Sequence, residues 1–323
     1  MEDSALRFQL DLLRLSAGTV KRVLPILADL ERELRGRLAD PELTTYSKAR
    51  LNALLADAKK AVADYYDQAQ GELFPVLEGV AQSTAKATVA AFATDIALAP
   101  EPYLVALAEN ALIQGATQKA WWAKQAADMA FRFNGAVRVG LASGDTNAQI
   151  IRGVADQFAL ARRNAAALVQ TGVQTVANDA RLAVFEQNAD VILALKWLAT
   201  LDSHTCPLCA ARDGKRWETV SKAPIDHKLP FRNPPIHFND RCIMIPVTKA
   251  SAAPGGQRAS QAGPVSRDTT FAQFLDRQGE EFQADVLGKG RAELWKAGKI
   301  SLDDLVNGQG RPLTLEQLRA RHG

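Results

Sequence analysis

One stretch, Leu201–Thr248, constrains this chain more than any other. All three cysteines lie in it, at Cys206, Cys209 and Cys242, with three of the four histidines, His204, His227 and His237. Cys206 and Cys209 stand as Cys-x-x-Cys, the spacing of a tight knuckle that aims two sulfurs at one point. His237 and Cys242 follow and supply a second half. The spacing therefore predicts a closed Cys3His site, Cys206, Cys209, His237 and Cys242, holding a structural zinc ion. Four protein ligands leave no open position for a reacting water, so no catalytic residue is assigned. The competing expectation is three reduced, buried cysteines without metal.

Around these ligands the sequence is rich in turns. Asp213-Gly214-Lys215 is a hairpin signal leading into a strand. Pro234-Pro235 fixes an extended approach to His237, and Cys242–Val247 reads as a last strand. The segment Val191–Leu198 is apolar enough for a buried strand entering the module. A small α+β unit over 191–248 is expected.

The residues before Val191 read as helix, about six to eight of them by apolar periodicity. Leu6, Leu10, Leu13, Ala17, Val20, Leu24 and Leu27 form a stripe with a kink or break expected at Pro25. Asp40-Pro41-Glu42 signals a new helix start. A break is expected near Phe74-Pro75, then an Ala-rich helix ending before Pro100 and Pro102. Ala108–Leu141 reads as continuous helix, with Trp121 and Trp122 on different faces. Ser143-Gly144-Asp145-Thr146 is a turn and cap, followed by two helices, 147–158 and 160–188. No strand is expected before Val191. Between Lys249 and Asp268 small residues, Gly and Pro dominate, which predicts a flexible linker. Helix signals resume at Thr269-Thr270-Phe271 and at Thr314. The expected fold class is thus a mainly α domain of long helices (1–190), a zinc-knuckle-like α+β module (191–248), a linker (249–268) and a short helical tail (269–323).

Composition adds limits. A net charge of +3 in 323 residues neither demands nor excludes a nucleic-acid partner. The Met1-Glu2-Asp3 start lacks a leader's basic and apolar regions, so secretion is not expected. No apolar run reaches the ~20 residues that cross a bilayer.

The stretch Leu198–Cys209, then Asp213-Gly214-Lys215, then Pro234–Cys242 resembles the Mu F-like domain of the phage head morphogenesis family. That family's pattern is a Thr-Cys-Pro-x-Cys knuckle, an Asp-Gly-Lys turn and a Pro-Pro-x-His-Pro-Asn-Cys-Arg-Cys close. The resemblance runs from about Leu160 to Val247, and the tail around Phe282–Arg291 is also similar. Here Asp240 replaces a cysteine and Phe238 a proline, so the fourth ligand lies among His237, Asp240 and His227, with His237 preferred. The resemblance implies a minor head protein of the virion, assembled in the host cytoplasm and placed at the portal vertex or head interior. Its implied partners are the portal protein, major capsid or scaffold proteins and packaged DNA. Its implied role is in procapsid assembly, DNA packaging or delivery.

Two other readings compete. Asp226-His227-Lys228-Leu229-Pro230 with Asn239 echoes an HNH nuclease, in which a histidine activates water beside a divalent metal. Between Arg212 and Lys249 eight Lys or Arg face four Asp or Glu, a mild excess compatible with a nucleic-acid-binding zinc module.

Overall fold

The computed structural model describes residues 2–39, 48–92, 95–248 and 256–322. It is mainly helical with a small sheet region. The expected start at Asp40-Pro41-Glu42 lies outside the described residues. The chain divides into two compact units that interleave along the sequence. One is Leu12–Val80 with Val105–Val176; the other is Met1–Asp11, Ala81–Leu104 and Ala177–Gly323. The consecutive blocks expected from the sequence do not coincide with them, because long helices contribute to both.

Helix α1 (Glu2–Leu38) runs unbroken through Pro25. Its buried stripe is Gln9, Leu12, Ser16, Thr19, Val23, Leu27, Leu30 and Leu34; the expected stripe, which continues through Leu30 and Leu34, is right from Leu27 onward and turned away before it, where Leu10 is 47% exposed. The polar members hid this face from a hydrophobicity reading. The Ser16 and Thr19 hydroxyls donate to the carbonyls of Leu13 and Leu15, which satisfies them inside the helix. Pro25 lies on the exposed side, where a missing amide costs least because its ring and the carbonyl left without a donor face solvent. Helix α2 (Lys48–Ala90) likewise absorbs Pro75, which faces solvent while Leu73, Leu77 and Val80 are buried.

In the first unit, α3 (Glu101–Asn110) is followed by a two-stranded hairpin, β1 (Leu112–Ile113) and β2 (Ala116–Thr117). This corrects both the continuous helix and the absence of strands expected there. Gln114 and Gly115 both take positive φ, 49° and 85°, the primed-turn geometry that a two-residue hairpin needs. Helix α4 (Gln118–Ala142) starts at a Thr117 cap. Trp122 is buried edge-on to Tyr66 at 6.1 Å, while Trp121 is half-buried and donates to the Ile113 carbonyl. Helix α5 (Asn147–Gln187) is one element rather than two. It begins at Thr146, whose hydroxyl and amide exchange hydrogen bonds with Gln149. Gly172 on α5 allows a close approach to α4: a Cβ there would stand 1.6 Å from Nε2 of the buried Gln118.

The other unit contains a four-stranded antiparallel sheet in the order β5-β4-β3-β6. Its strands are β3 (Ala194–Leu198), β4 (Arg216–Glu218), β5 (Pro224–Ile225) and β6 (Ile243–Val247). Central β3 pairs Trp197 with Met244 and Leu195 with Trp217. Side chains alternate across a strand, and here both faces are covered. Leu195, Trp197 and Met244 enter the main core, while Leu198, Ile243 and Ile245 pack with Ala5 and Leu6.

The expected linker is corrected. Residues 249–255 lie outside the described residues, but β7 (Gln257–Arg258) and β8 (Val265–Ser266) form a hairpin. Arg258 explains why so unpromising a composition is ordered. Its guanidinium is buried and forms a two-pronged pair with Asp213, at 3.0 and 2.6 Å. It also donates to the carbonyls of Thr269 and Ala199. Beyond it come α7 (Phe271–Asp276), α8 (Glu280–Leu287), α9 (Lys289–Lys296) and α10 (Leu315–His322). These place Phe271, Phe274, Leu287, Leu305 and Leu318 in the same core as Trp197 and Trp217. The tail is therefore part of the cysteine module's own core.

Candidate metal centre

The knuckle is built by a one-turn helix, α6 (Pro207–Ala210), with Pro207 at its first position. A proline there loses no needed hydrogen bond and presets φ. Cys206 is the extended residue before the turn, and its carbonyl accepts from the amides of Cys209 and Ala210 at 3.1 and 2.9 Å. Thr205 fixes the entry by donating to the Thr200 carbonyl.

The second half is a loop braced by Asp240. Its buried carboxylate accepts the Ile236 amide at 2.9 Å on one oxygen and the Cys242 amide at 2.8 Å on the other. Asn239 turns the chain with φ of +62°, a conformation that asparagine tolerates better than most residues. The close is held from outside as well. Asn178 of α5 donates to the Cys242 carbonyl at 3.2 Å, and Gln9 donates to the Arg241 carbonyl at 3.3 Å. Arg241 grips Asp202 with two bonds, 2.6 and 2.8 Å.

These elements bring three of the expected ligands, Cys206, Cys209 and His237, within reach of one another, while Cys242 groups with Cys209 and Asp240. His237 Nε2 lies 3.0 Å from Cys206 Sγ and 3.3 Å from Cys209 Sγ. Cys206, Cys209 and His237 form one group whose ligand atoms lie within 4.8 Å of one another; Cys209, Asp240 and Cys242 form a second. Cys209 is the vertex that the two groups share. His237 donates from Nδ1 to the Phe238 carbonyl at 2.8 Å, which leaves the Nε2 lone pair for a metal, the usual orientation of a ligating histidine. A possible metal-binding Cys/His group is thus present.

The alternatives for the fourth ligand separate. His227 is elsewhere: Nε2 donates to the Arg216 carbonyl at 2.8 Å, Nδ1 accepts the Leu229 amide at 3.1 Å, and the ring packs edge-on to Trp217. Asp240 is adjacent, in the group with Cys209 and Cys242, and each of its oxygens accepts one backbone amide. His204 is exposed, and His322 stands 3.5 Å from Asp304.

The electrostatics show what a cation must displace. A hydrogen bond from Cys209, then the one to His237, lowers the Cys206 thiol to about 5. The bond to Cys206 raises His237 to about 9. Cys209 is raised through its bonds to Cys206 and Cys242, and burial pushes Cys242 up to about 12. Binding a metal at thiolates and a neutral imidazole therefore releases protons.

The Asp213-Gly214-Lys215 turn is a tie rather than a ligand set. Besides Arg258, Asp213 accepts the Ala199 amide at 2.8 Å and the Phe271 amide at 2.7 Å. Gly214, with φ of +77°, donates to the Trp197 carbonyl, and Lys215 pairs with Asp303 at 2.7 Å. Sequence reasoning missed Arg258, Asn178 and Arg212. Arg258 sits in a stretch with no periodicity, and Asn178 looks like any polar helix residue. Arg212 was counted only as surface charge.

Residues 132–245 match the family described as Phage Mu protein F like protein. This is a phage head morphogenesis family, and the matched segment includes the knuckle, the turn and the close. No curated protein and no solved structure matches the chain. Among the described residues no helix is long and apolar enough to cross a membrane. The Mu F-like segment ends at Ile245, in the middle of β6.

Proposed function

We propose that this chain is a minor head protein that acts as a portal-associated adaptor in head assembly, DNA packaging or delivery, and that its Mu F-like module is stapled by one structural zinc ion. The observation that supports the reading is the match over residues 132–245 together with that segment's two adjoining groups, Cys206, Cys209 and His237, and Cys209, Asp240 and Cys242, which share Cys209. Cys206, Cys209, His237 and Cys242 would hold the zinc, which supplies a cross-link between the knuckle and the close. Asp240 then acts as the brace of the close.

The helical part supplies the docking surface in this reading. On α4, Phe131 and Val139 are 79% and 66% exposed. They are two turns apart on one face. The tail does not reach out on a linker, since it packs in the module's own core.

The nuclease reading finds no support at His227, whose two ring nitrogens serve backbone partners. The nucleic-acid reading weakens too. Of the counted basic residues, Lys215, Arg216, Lys222 and Arg241 are in ion pairs and Arg212 is buried. Coexpression with the cognate portal tests the proposal. The expected result is co-purification, weakened by Phe131→Asp with Val139→Asp; no association with portal or proheads refutes the adaptor role.

A further inference from the structure

Arg212 follows the knuckle and is fully buried, at 0% exposure. None of its three guanidinium nitrogens makes a hydrogen bond. Burying a cation is costly unless opposite charge faces it. Arg258 meets that condition by pairing with Asp213; among the described residues Arg212 forms no hydrogen bond to a carboxylate. The guanidinium lies over the Trp197 ring, 5.9 Å from its centroid, and Gly310 makes room for it. A Cβ at Gly310 would stand 2.4 Å from Nη2. The fold has thus kept a chamber for this cation.

The charges that bear on Arg212 are Arg232, which opposes it, and Cys209, Asp240 and Cys206, which favour it. Asp240 uses both oxygens on the amides of Ile236 and Cys242. Those amides are neutral, so the negative charge facing Arg212 is that of the cysteine cluster together with its brace Asp240, which groups with Cys209 and Cys242. A divalent zinc held by three thiolates and a neutral histidine would carry one net negative charge, and Arg212 follows directly on that cluster, its amide bonded to the Cys209 carbonyl at 3.1 Å.

We infer that Arg212 is the built-in counter-cation of the zinc-thiolate centre, a positioning residue that tunes metal affinity without touching the metal. The inference rests on the zinc reading above and adds why this position carries a positive charge. Arginine suits the role because it stays protonated when buried and its flat face stacks on tryptophan. Removing the charge leaves the thiolate centre uncompensated, and loss of an outer partner of this kind typically lowers metal affinity by about 10–100-fold.

The test uses the full chain and measures zinc stoichiometry and zinc affinity by competition with a chromophoric chelator. Arg212→Met keeps the length and removes the charge; Arg212→Lys keeps the charge and loses the flat fork. The expected result is one zinc per wild-type chain, an affinity about 10–100-fold weaker for the Met variant, and recovery of most of that loss by the Lys variant. One zinc per chain with equal affinity in wild type and Met variant overturns the counter-cation role alone. No zinc in the wild type overturns both this role and the zinc reading. Should the Met variant fail to fold, Gly310→Ala displaces the guanidinium without altering the charge count. A weakened zinc affinity then supports the role, and an unchanged one overturns it.

Discussion

Replacing Arg258 with methionine separates a flexible linker from an integrated one. In a solvated linker the change would stay within ~0.5 kcal/mol, as surface substitutions do. In this structure the side chains of Arg258 and Asp213 are 3% and 1% exposed. The substitution removes both prongs on Asp213 and the bonds to the Thr269 and Ala199 carbonyls. It leaves a buried carboxylate with only the Ala199 and Phe271 amides. Breaking one partner from a buried pair costs about 3–5 kcal/mol. With a urea slope of about 1–3 kcal/mol/M, the midpoint falls by at least ~1 M. Urea unfolding followed by tryptophan fluorescence reads it, since Trp197 and Trp217 lie in the core concerned. A midpoint unchanged within error refutes the reasoning. Asp213→Asn combined with Arg258→Met should cost less than the sum of the two, because they share one interaction.

Other outcomes follow from the same geometry. His227→Ala should leave zinc content unchanged while lowering stability by about 1–3 kcal/mol, through two lost backbone bonds; loss of zinc would return His227 to the ligand set. Burial raises the Asp179 carboxyl to about 6, against a bond from Asn233 that lowers it. Its protonated form is favoured in the fold, so stability declines as pH rises from about 4 through about 6. Asp179→Asn should flatten that slope, worth up to ~3 kcal/mol, as measured by unfolding at pH 4 and pH 7; an unaltered slope refutes the assignment. Gly172→Ala should cost about 1–3 kcal/mol by overpacking against Gln118, read as a lower thermal midpoint; no change would mean that Gln118 swings aside freely.

The legible parts of this chain were those where side-chain chemistry is local. Cys-x-x-Cys, Asp-Gly and Thr270 each act within a few residues of where they stand. The knuckle, the turn and the tail helix start were readable for that reason. Thr270 even forms the full capping box with Gln273. What failed was decided by distant partners. Pro25 and Pro75 read as breaks, yet each faces water while the other side of its helix is buried. Gln9, Ser16 and Thr19 add nothing to an apolar pattern, yet they lie on the buried stripe, Ser16 and Thr19 bonded within their own helix and Gln9 to the Arg241 carbonyl. Residues 257–266 read as linker because nothing in their composition announces that Arg258 will meet a carboxylate 45 positions earlier. The grouping of Cys206 and Cys209 with His237 was legible from spacing, whereas the place of His227 away from them and of Asp240 beside Cys209 and Cys242 needed the fold.

The Asp213–Arg258 pair also sets an order of events during synthesis. The ribosome adds about 5–20 residues per second, so Asp213 emerges seconds before the guanidinium that neutralises it. Cys206, Cys209, His237 and Cys242 all precede Arg258 and leave the ribosome before it. The knuckle and its close can therefore meet before the C-terminal part of their core has emerged. A chain cut at residue 248 is held at that stage: it has every sulfur and histidine of the cluster, a bare Asp213 carboxylate, and Trp197 and Trp217 without the phenylalanines and leucines that cover them.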